Sequence, residues 1–455
     1  MTTDNSKIAI HLKANSLVGL KSTYLKLSIL ILVSIIIIPV GYVSSIYAKV
    51  KSYSDISLTD PTLKIQPIAA GFEFPTGMAF VGPNDILVIE KNTGNVIRIQ
   101  NGIELDKPLL HVNVANMSER GLLGIAISQN SRIDNSNNST IPYVFLFYTE
   151  TENKSGGKIL GNRLYRYDLI DNKLVNPKLL LDLPFLPGPS HDGGVLKMGP
   201  DGKSVYLVIG NLNFIQNQTY LTRAQNVKGG AMPDGRGGVL RVTFNGDVVG
   251  GKGILGNNNP LNKYYAYGLR NSFGIGFDPV TGNLWDTENG QSTNDEINLV
   301  KPGFNSGWRV IQGPSFLKEF DRDDLESFGG KGVYRDPEFD WLTTVAPTSV
   351  LFLNSDKLGE NYQNDLFVGS VHNGTIYHFD LTKDRMHLDL KGALADKVAN
   401  TPSELQDAIF AKGFGTITGM ELGPDGYLYI LADYLRDGTI FRISPIDKNL
   451  PAKSN

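Results

Sequence analysis

The 455-residue chain contains no cysteine and only six histidines. The lack of thiols excludes disulfides, thiolate metal sites and cysteine nucleophiles together, so any chemistry must come from carboxylates, histidine and backbone groups. A surplus of positive charge is missing too. The 43 Lys and Arg residues stand against 46 Asp and Glu, for a formal net charge of −3, which provides none of the basic footprint of a nucleic-acid binder. No DNA or RNA partner is expected. After residue 64 no long stretch shows the 3.6-residue period of an amphipathic helix. With 41% hydrophobic and 20% charged residues, the composition is that of an ordinary globular protein. The length could hold two or three average domains, but β-propellers commonly use several hundred residues in one unit.

The chain does have one long apolar run. Residues 27–43, LSILILVSIIIIPVGYV, carry no charge, and the uncharged stretch continues to Ala48. That is enough to cross roughly 30 Å of hydrocarbon. Lys7, Lys13, Lys21 and Lys26 precede it, so the positive-inside bias keeps the N-terminus cytoplasmic. The expected organisation is a cytoplasmic segment at 1–24, a transmembrane signal anchor at 25–48, a polar linker at 49–64, one large domain at 65–445 and a tail at 446–455. This describes a single-pass membrane protein with an extracytoplasmic domain. The alternative is secretion after cleavage near Ala48. Acceptor triplets at Asn116, Asn153, Asn217 and Asn373 permit glycosylation there.

Beyond the linker, short runs of Val, Ile, Leu, Phe and Tyr alternate with Gly, Asp, Asn and Pro clusters, the texture of a β protein. A strand, turn, strand, strand phrase recurs from 78, 196, 275 and 420, with a variant at 365. Counting GLLGIAIS with YVFLFYTE as a further unit makes six, at roughly 60 residues each. The expected fold class is all-β, a six-bladed β-propeller preceded by one transmembrane helix. A β-sandwich or β-helix suits the wide, uneven spacing less well. Propeller blades converge on a channel, so loops distant in sequence meet at one end.

Three loops carry unusual residues. In PSHDGG, His191 is boxed by proline and glycine, which set a loop in one shape; it reads either as a held base or as a turn histidine bonded to a carbonyl. In Tyr267-Gly-Leu-Arg-Asn271, Arg270 and Asn271 could face a polar ligand, or Arg270 could form a surface salt bridge. In TENGQSTNDEIN at 287–298, Glu288, Asp295 and Glu296 surround a Gly-Gln turn. Oxygens spaced in this way suit calcium, though without EF-hand spacing.

Together with GFEFPTGMAF at 71, RGLLGIAI at 120, NSGW at 305, VAPTSVLF at 345 and LGPDGYLYILAD at 422, these loops resemble the pyrroloquinoline quinone (PQQ) dependent soluble aldose dehydrogenases, the glucose/sorbosone dehydrogenase family, from about Ile68 to Ile443. The resemblance implies a six-bladed propeller that oxidises a sugar at its C1 hydroxyl. It places His191 as the general base and Arg270 and Asn271 against cofactor and substrate oxygens. It also implies that the Gly290 and Gln291 carbonyls hold a calcium ion, and that Asp295 and Glu296 bind further calcium.

Departures from the family pattern fall at the same site. Thr416 and Thr418 stand where the family has an arginine pair for the acidic quinone, His372 for a lysine, Glu119 for a glutamine and Asn211 for an aspartate. Arg223, Arg236 and Arg309 are the arginines of neighbouring loops that could compensate. The expected function is therefore a membrane-anchored aldose dehydrogenase with calcium and PQQ, a small-molecule sugar as substrate and an electron acceptor left open. The alternative is a cofactor-free propeller acting as a calcium-dependent hydrolase or lactonase, or as a carbohydrate-binding module.

Overall fold

The computed structural model describes residues 53 and 55–446, except 135–138, 154–156, 214–219 and 435–436. The span expected at 25–48, the start of the linker and most of the C-terminal tail lie outside the described residues, as does Asn217. What is described is an all-β propeller almost without helix. Its helices are 3-10 turns of three to five residues, and no described helix is long and apolar enough to cross a membrane.

The recurring phrase folds as its local chemistry dictates. At Gly-Pro-Asp-Gly 199–202, the Asp201 side chain accepts from the backbone N–H groups of Lys203 and Ser204 at 2.9 and 3.0 Å, and Gly202 takes a φ of 62°. The same phrase at 423–426 puts Asp425 under the Tyr427 N–H at 3.2 Å, with Gly426 at φ 80°. Such Asx turns reverse the chain tightly. Each reversal leads into an apolar strand, and Ser204–Ile209 is buried along its whole length.

The strands sort into six sheets. In chain order of their innermost strands, these sheets begin with Pro75–Gly82, Leu122–Asp134, Leu196–Met198, Ser272–Phe277, Pro347–Phe352 and Thr416–Leu422. Each innermost strand pairs antiparallel with the next strand in sequence. The last sheet is completed from the other end of the chain, where Leu63–Phe72 pairs antiparallel with Asp437–Pro445 in the register Ile65 to Ile443. Phe72, Met78, Ile86, Val88, Tyr429 and Leu431 then pack between the first and last sheets. Burial of a side chain of this size contributes roughly 1.5–3 kcal/mol, so the closure is held by apolar packing as well as by the strand ladder.

One triplet from each sheet lines a narrow central cavity of about 40 Å³, including Thr76-Gly77-Met78, Leu123-Gly124-Ile125, Phe273-Gly274-Ile275, Thr348-Ser349-Val350 and Thr418-Gly419-Met420. Glycine is required here by close approach: a Cβ on Gly124 would stand 1.9 Å from the carbonyl of Gly194, in the loop leading into Leu196–Met198. Threonines of these triplets fasten one sheet to the next. Thr76 Oγ1 donates to the Leu122 carbonyl at 2.7 Å, and Thr348 Oγ1 to that of Ile417 at 2.6 Å.

Candidate active site

The topology collects the unusual loops. A loop that precedes an innermost strand and one that follows the second strand of a sheet emerge at the same end, because the two strands are antiparallel. Glu119, His191, Asn271 and Ala346 belong to the first kind, and Lys91, Asn211, Gly290 and His372 to the second. Packing is close at Gly210. A Cβ there would lie 2.5 Å from the His191 carbonyl oxygen and 2.6 Å from that of Arg270, distances no side chain tolerates. Both carbonyls therefore touch one glycine, and the Asn211 N–H donates to the Arg270 carbonyl at 2.9 Å.

His191 sits at φ 66°, followed by Gly193 and Gly194 at positive φ, and is 3% exposed. Its Nδ1 lies 2.6 Å from Asn211 Oδ1. That oxygen also accepts the Asn213 N–H at 3.0 Å, and since a backbone N–H can only donate, the Asn211 atom is an acceptor. Nδ1 must then carry the imidazole proton, and Nε2 is the nitrogen with the basic lone pair. Burial, and then the Arg270 charge, push the His191 pKa down to about 4, while the Asn211 bond acts the other way. The ring is neutral at neutral pH.

A carboxylate in place of the amide would stabilise the imidazolium. Asn211→Asp should therefore move the acidic limb of the pH profile of kcat/KM upward by roughly one to three pH units. An unmoved limb would show that His191 is not the group titrating in catalysis.

Arg270 is buried beside this ring. Its backbone N–H donates to Glu288, and its Nη1 donates to the carbonyls of Asn289 and Gly290 at 2.7 and 2.9 Å. The guanidinium lies over the Trp308 ring, 5.5 Å from its centroid. Asn271 Oδ1 is buried with no hydrogen-bond partner, an acceptor awaiting a donor. On the other side of His191, Glu119 Oε2 accepts the His191 N–H at 2.6 Å. Burial, followed by the charge of Asp192, raises the Glu119 carboxyl to about 7, against its backbone hydrogen bonds.

The residues expected to bind metal form the next layer. Gly290 O is engaged by the Arg270 guanidinium, so a cation on that carbonyl would share it with, or displace, the arginine. The Asp295 carboxylate accepts three backbone N–H groups, from Gly290 at 2.8 Å, Val345 at 2.7 Å and Ala346 at 2.8 Å. Glu296 accepts from Gly313 N–H at 2.7 Å and from Asn298 Nδ2 at 3.2 Å. The Gln291 N–H donates to Gln312 Oε1 at 3.3 Å. Both carboxylates thus brace loops, whatever else they hold.

His372 is exposed, with Nδ1 2.9 Å from the Thr344 carbonyl. Thr416 begins the innermost strand of the last sheet, while Thr418 belongs to the cavity ring and donates to the Leu431 carbonyl at 3.3 Å. Two arginines named as possible replacements are committed elsewhere: Arg223 to Glu326 at 2.6 Å and Arg236 to Asp234 at 2.6 Å. A tricarboxylate quinone needs cations for its acid groups. With the threonines where arginines were sought and these two held by carboxylates, the residues at these positions do not fit PQQ in the pose the family pattern implies.

Sequence reasoning passed over Asp192, fully buried and bonded to Asn162 Nδ2 at 3.1 Å, and Ser306, whose Oγ donates to Glu288 at 2.6 Å. Asp192 adjoins the histidine in PSHDGG and Ser306 lies in NSGW, so both motifs contained the signal.

A tautomer-fixed imidazole beside a guanidinium, on the loops of an all-β propeller, places the protein among propellers with a polar centre at one end of the ring. The particular lineage follows from comparison. Residues 72–442 match the family model Glucose / Sorbosone dehydrogenase, and the chain belongs to that family. It is 26% identical over 392 residues to an aldose sugar dehydrogenase of Escherichia coli, covering 84% of this chain and 93% of the relative. It is 27% identical over 326 residues to the quinoprotein glucose dehydrogenase B of Acinetobacter calcoaceticus, covering 65% and 66%. Among solved structures, the apo form of the soluble E. coli aldose sugar dehydrogenase matches in fold with a TM-score of 0.62 at 24% identity, covering 85% of this chain and all of that one.

Proposed function

We propose that the protein is a membrane-anchored aldose dehydrogenase built on a six-bladed propeller, each sheet being one blade, with residues 25–48 as the anchor and the propeller outside the cytoplasm. The observation that carries this reading is the His191–Asn211 pair beside Arg270. It is a neutral imidazole with a defined tautomer, poised to take the proton of a sugar C1 hydroxyl on Nε2, while the hydride of C1 would pass to a two-electron quinone-type acceptor. Asn271 Oδ1 is the acceptor for a substrate hydroxyl, and Arg270 supplies positive charge where negative charge develops. The names of the relatives point to PQQ as hydride acceptor. Because the cation set here does not fit that group, no step is routed through it.

That misfit favours one second reading, a carbohydrate-binding propeller without redox activity. The full-length chain titrated with PQQ and calcium, and followed by absorbance and by aldose-dependent reduction of an artificial dye, separates the two. Aldose-dependent dye reduction, with PQQ bound only weakly because its acid groups lack their cations, is the expected result. A folded chain that binds no quinone and oxidises no aldose, yet is stabilised against heat by sugars, would replace the dehydrogenase with the binding module.

A further inference from the structure

On the fifth sheet, at the end opposite the candidate active site, His378 and two aspartates converge. His378 lies on the strand Ile376–Phe379, and Asp380 follows two residues later, on the same face by the alternation of a β-strand. The neighbouring strand Leu366–Ser370 runs antiparallel, pairing Phe367 with His378 and Leu366 with Phe379. Asp365, one residue earlier, is thereby brought across the hairpin mouth from Asp380. His378 Nε2 stands 3.1 Å from Asp365 Oδ2 and 3.6 Å from Asp380 Oδ1, and the three ligand atoms all lie within 4.8 Å of one another.

The imidazole is held in place. Tyr362 meets it edge-on with centroids 5.2 Å apart, and Phe367 packs at 4.9 Å. Tyr362 is itself fixed through its hydroxyl, which donates to Asp60 at 2.9 Å. A single Nε2–H can serve one carboxylate fully, whereas a cation satisfies the nitrogen and both oxygens. Two ligands at zinc bond lengths of about 2.0–2.1 Å and a tetrahedral angle stand about 3.3 Å apart, between the two separations observed. Lys391, the nearby cation, is paired with Asp389 at 3.1 Å.

We propose that Asp365, His378 and Asp380 form a binding site for a zinc-like first-row divalent cation, completed by water. One imidazole and two carboxylates suit such an ion better than calcium, which prefers oxygen alone. Bound there, the ion closes the hairpin mouth beside the segment carrying Asp60 and the edge strand Ser57–Leu58.

The test uses the untagged full-length chain, freed of metal by chelator and kept in excess calcium so that calcium sites do not compete. Titration with Zn²⁺ by calorimetry, and with Co²⁺ by visible absorption, should show one equivalent bound with the bands of a low-coordinate nitrogen and oxygen site. His378→Ala and Asp365→Asn should each weaken binding at least tenfold, and Zn²⁺ should raise the melting temperature of the wild type but of neither variant. Asp380→Asn alters the most exposed ligand and guards against a folding defect at the packed ring; it should weaken Zn²⁺ binding as well. Isotherms identical for wild type, His378→Ala and Asp380→Asn would overturn the site, leaving a histidine ring hydrogen-bonded between two carboxylates.

Discussion

His191→Asn should lower turnover by about 10²- to 10⁴-fold, the usual worth of a positioned base, while the protein stays folded. Asparagine is the informative replacement because position 191 has a φ of 66°, a left-handed conformation that asparagine tolerates better than most residues. Stability supplies the control. The folded imidazole titrates near 4 and the unfolded one near 6.5, so between these values the unfolded chain holds the extra proton. Wild-type stability should then fall as pH drops from about 6.5 towards 4, by up to about 3 kcal/mol from this group. The variant should lack that component. Denaturant unfolding at pH 7.5 and 5, beside rates corrected for folded protein, tests both halves. Lost stability at pH 7.5 with near-normal activity per folded molecule would make His191 a turn brace and not a base.

Asp286→Asn should stabilise the protein at pH 8 by about 2 kcal/mol, within the range seen when a costly buried charge is removed. Asp286 is fully buried on Leu284–Glu288, and neither of its oxygens meets a hydrogen-bond partner. Burial, and then the neighbouring Glu288 charge, raise its carboxyl well above the ordinary range, and nearby Asn298 and Ser272 offset only part of this. A carboxyl whose folded pKa is raised contributes most below its unfolded pKa, and that contribution is lost as pH rises. The variant's advantage should therefore grow from pH 5 to pH 8. Asp340, raised to about 7 chiefly by burial, depresses wild type and variant alike and cancels in the comparison, whereas Glu288 interacts with the Asp286 charge, and relief of that repulsion is part of the variant's advantage. The new amide also gives donors to Asn298 Oδ1 and Ser272 Oγ, which have no partner. Urea curves at the two pH values decide the matter; destabilisation at pH 8 would mean that a bound cation compensates the Asp286 charge.

The amino-acid sequence alone determined what short-range chemistry controls. The Gly-Pro-Asp-Gly turns and the apolar runs beside them specify hairpins within a few residues, so the all-β fold and its repeating units were legible, and the loop motifs named His191 and Arg270. Tertiary structure alone decided what depends on residues far apart in the chain. Leu63–Phe72 completes a sheet with Asp437–Pro445, and Arg223 is claimed by Glu326 from 103 positions away, which removes it as a cation for a quinone. The tautomer of His191 rests on Asn211, twenty positions on, and its low pKa on burial and on Arg270. A residue's identity sets which proton or charge it can carry. The desolvation and partners that fix its state come only when distant strands close around it.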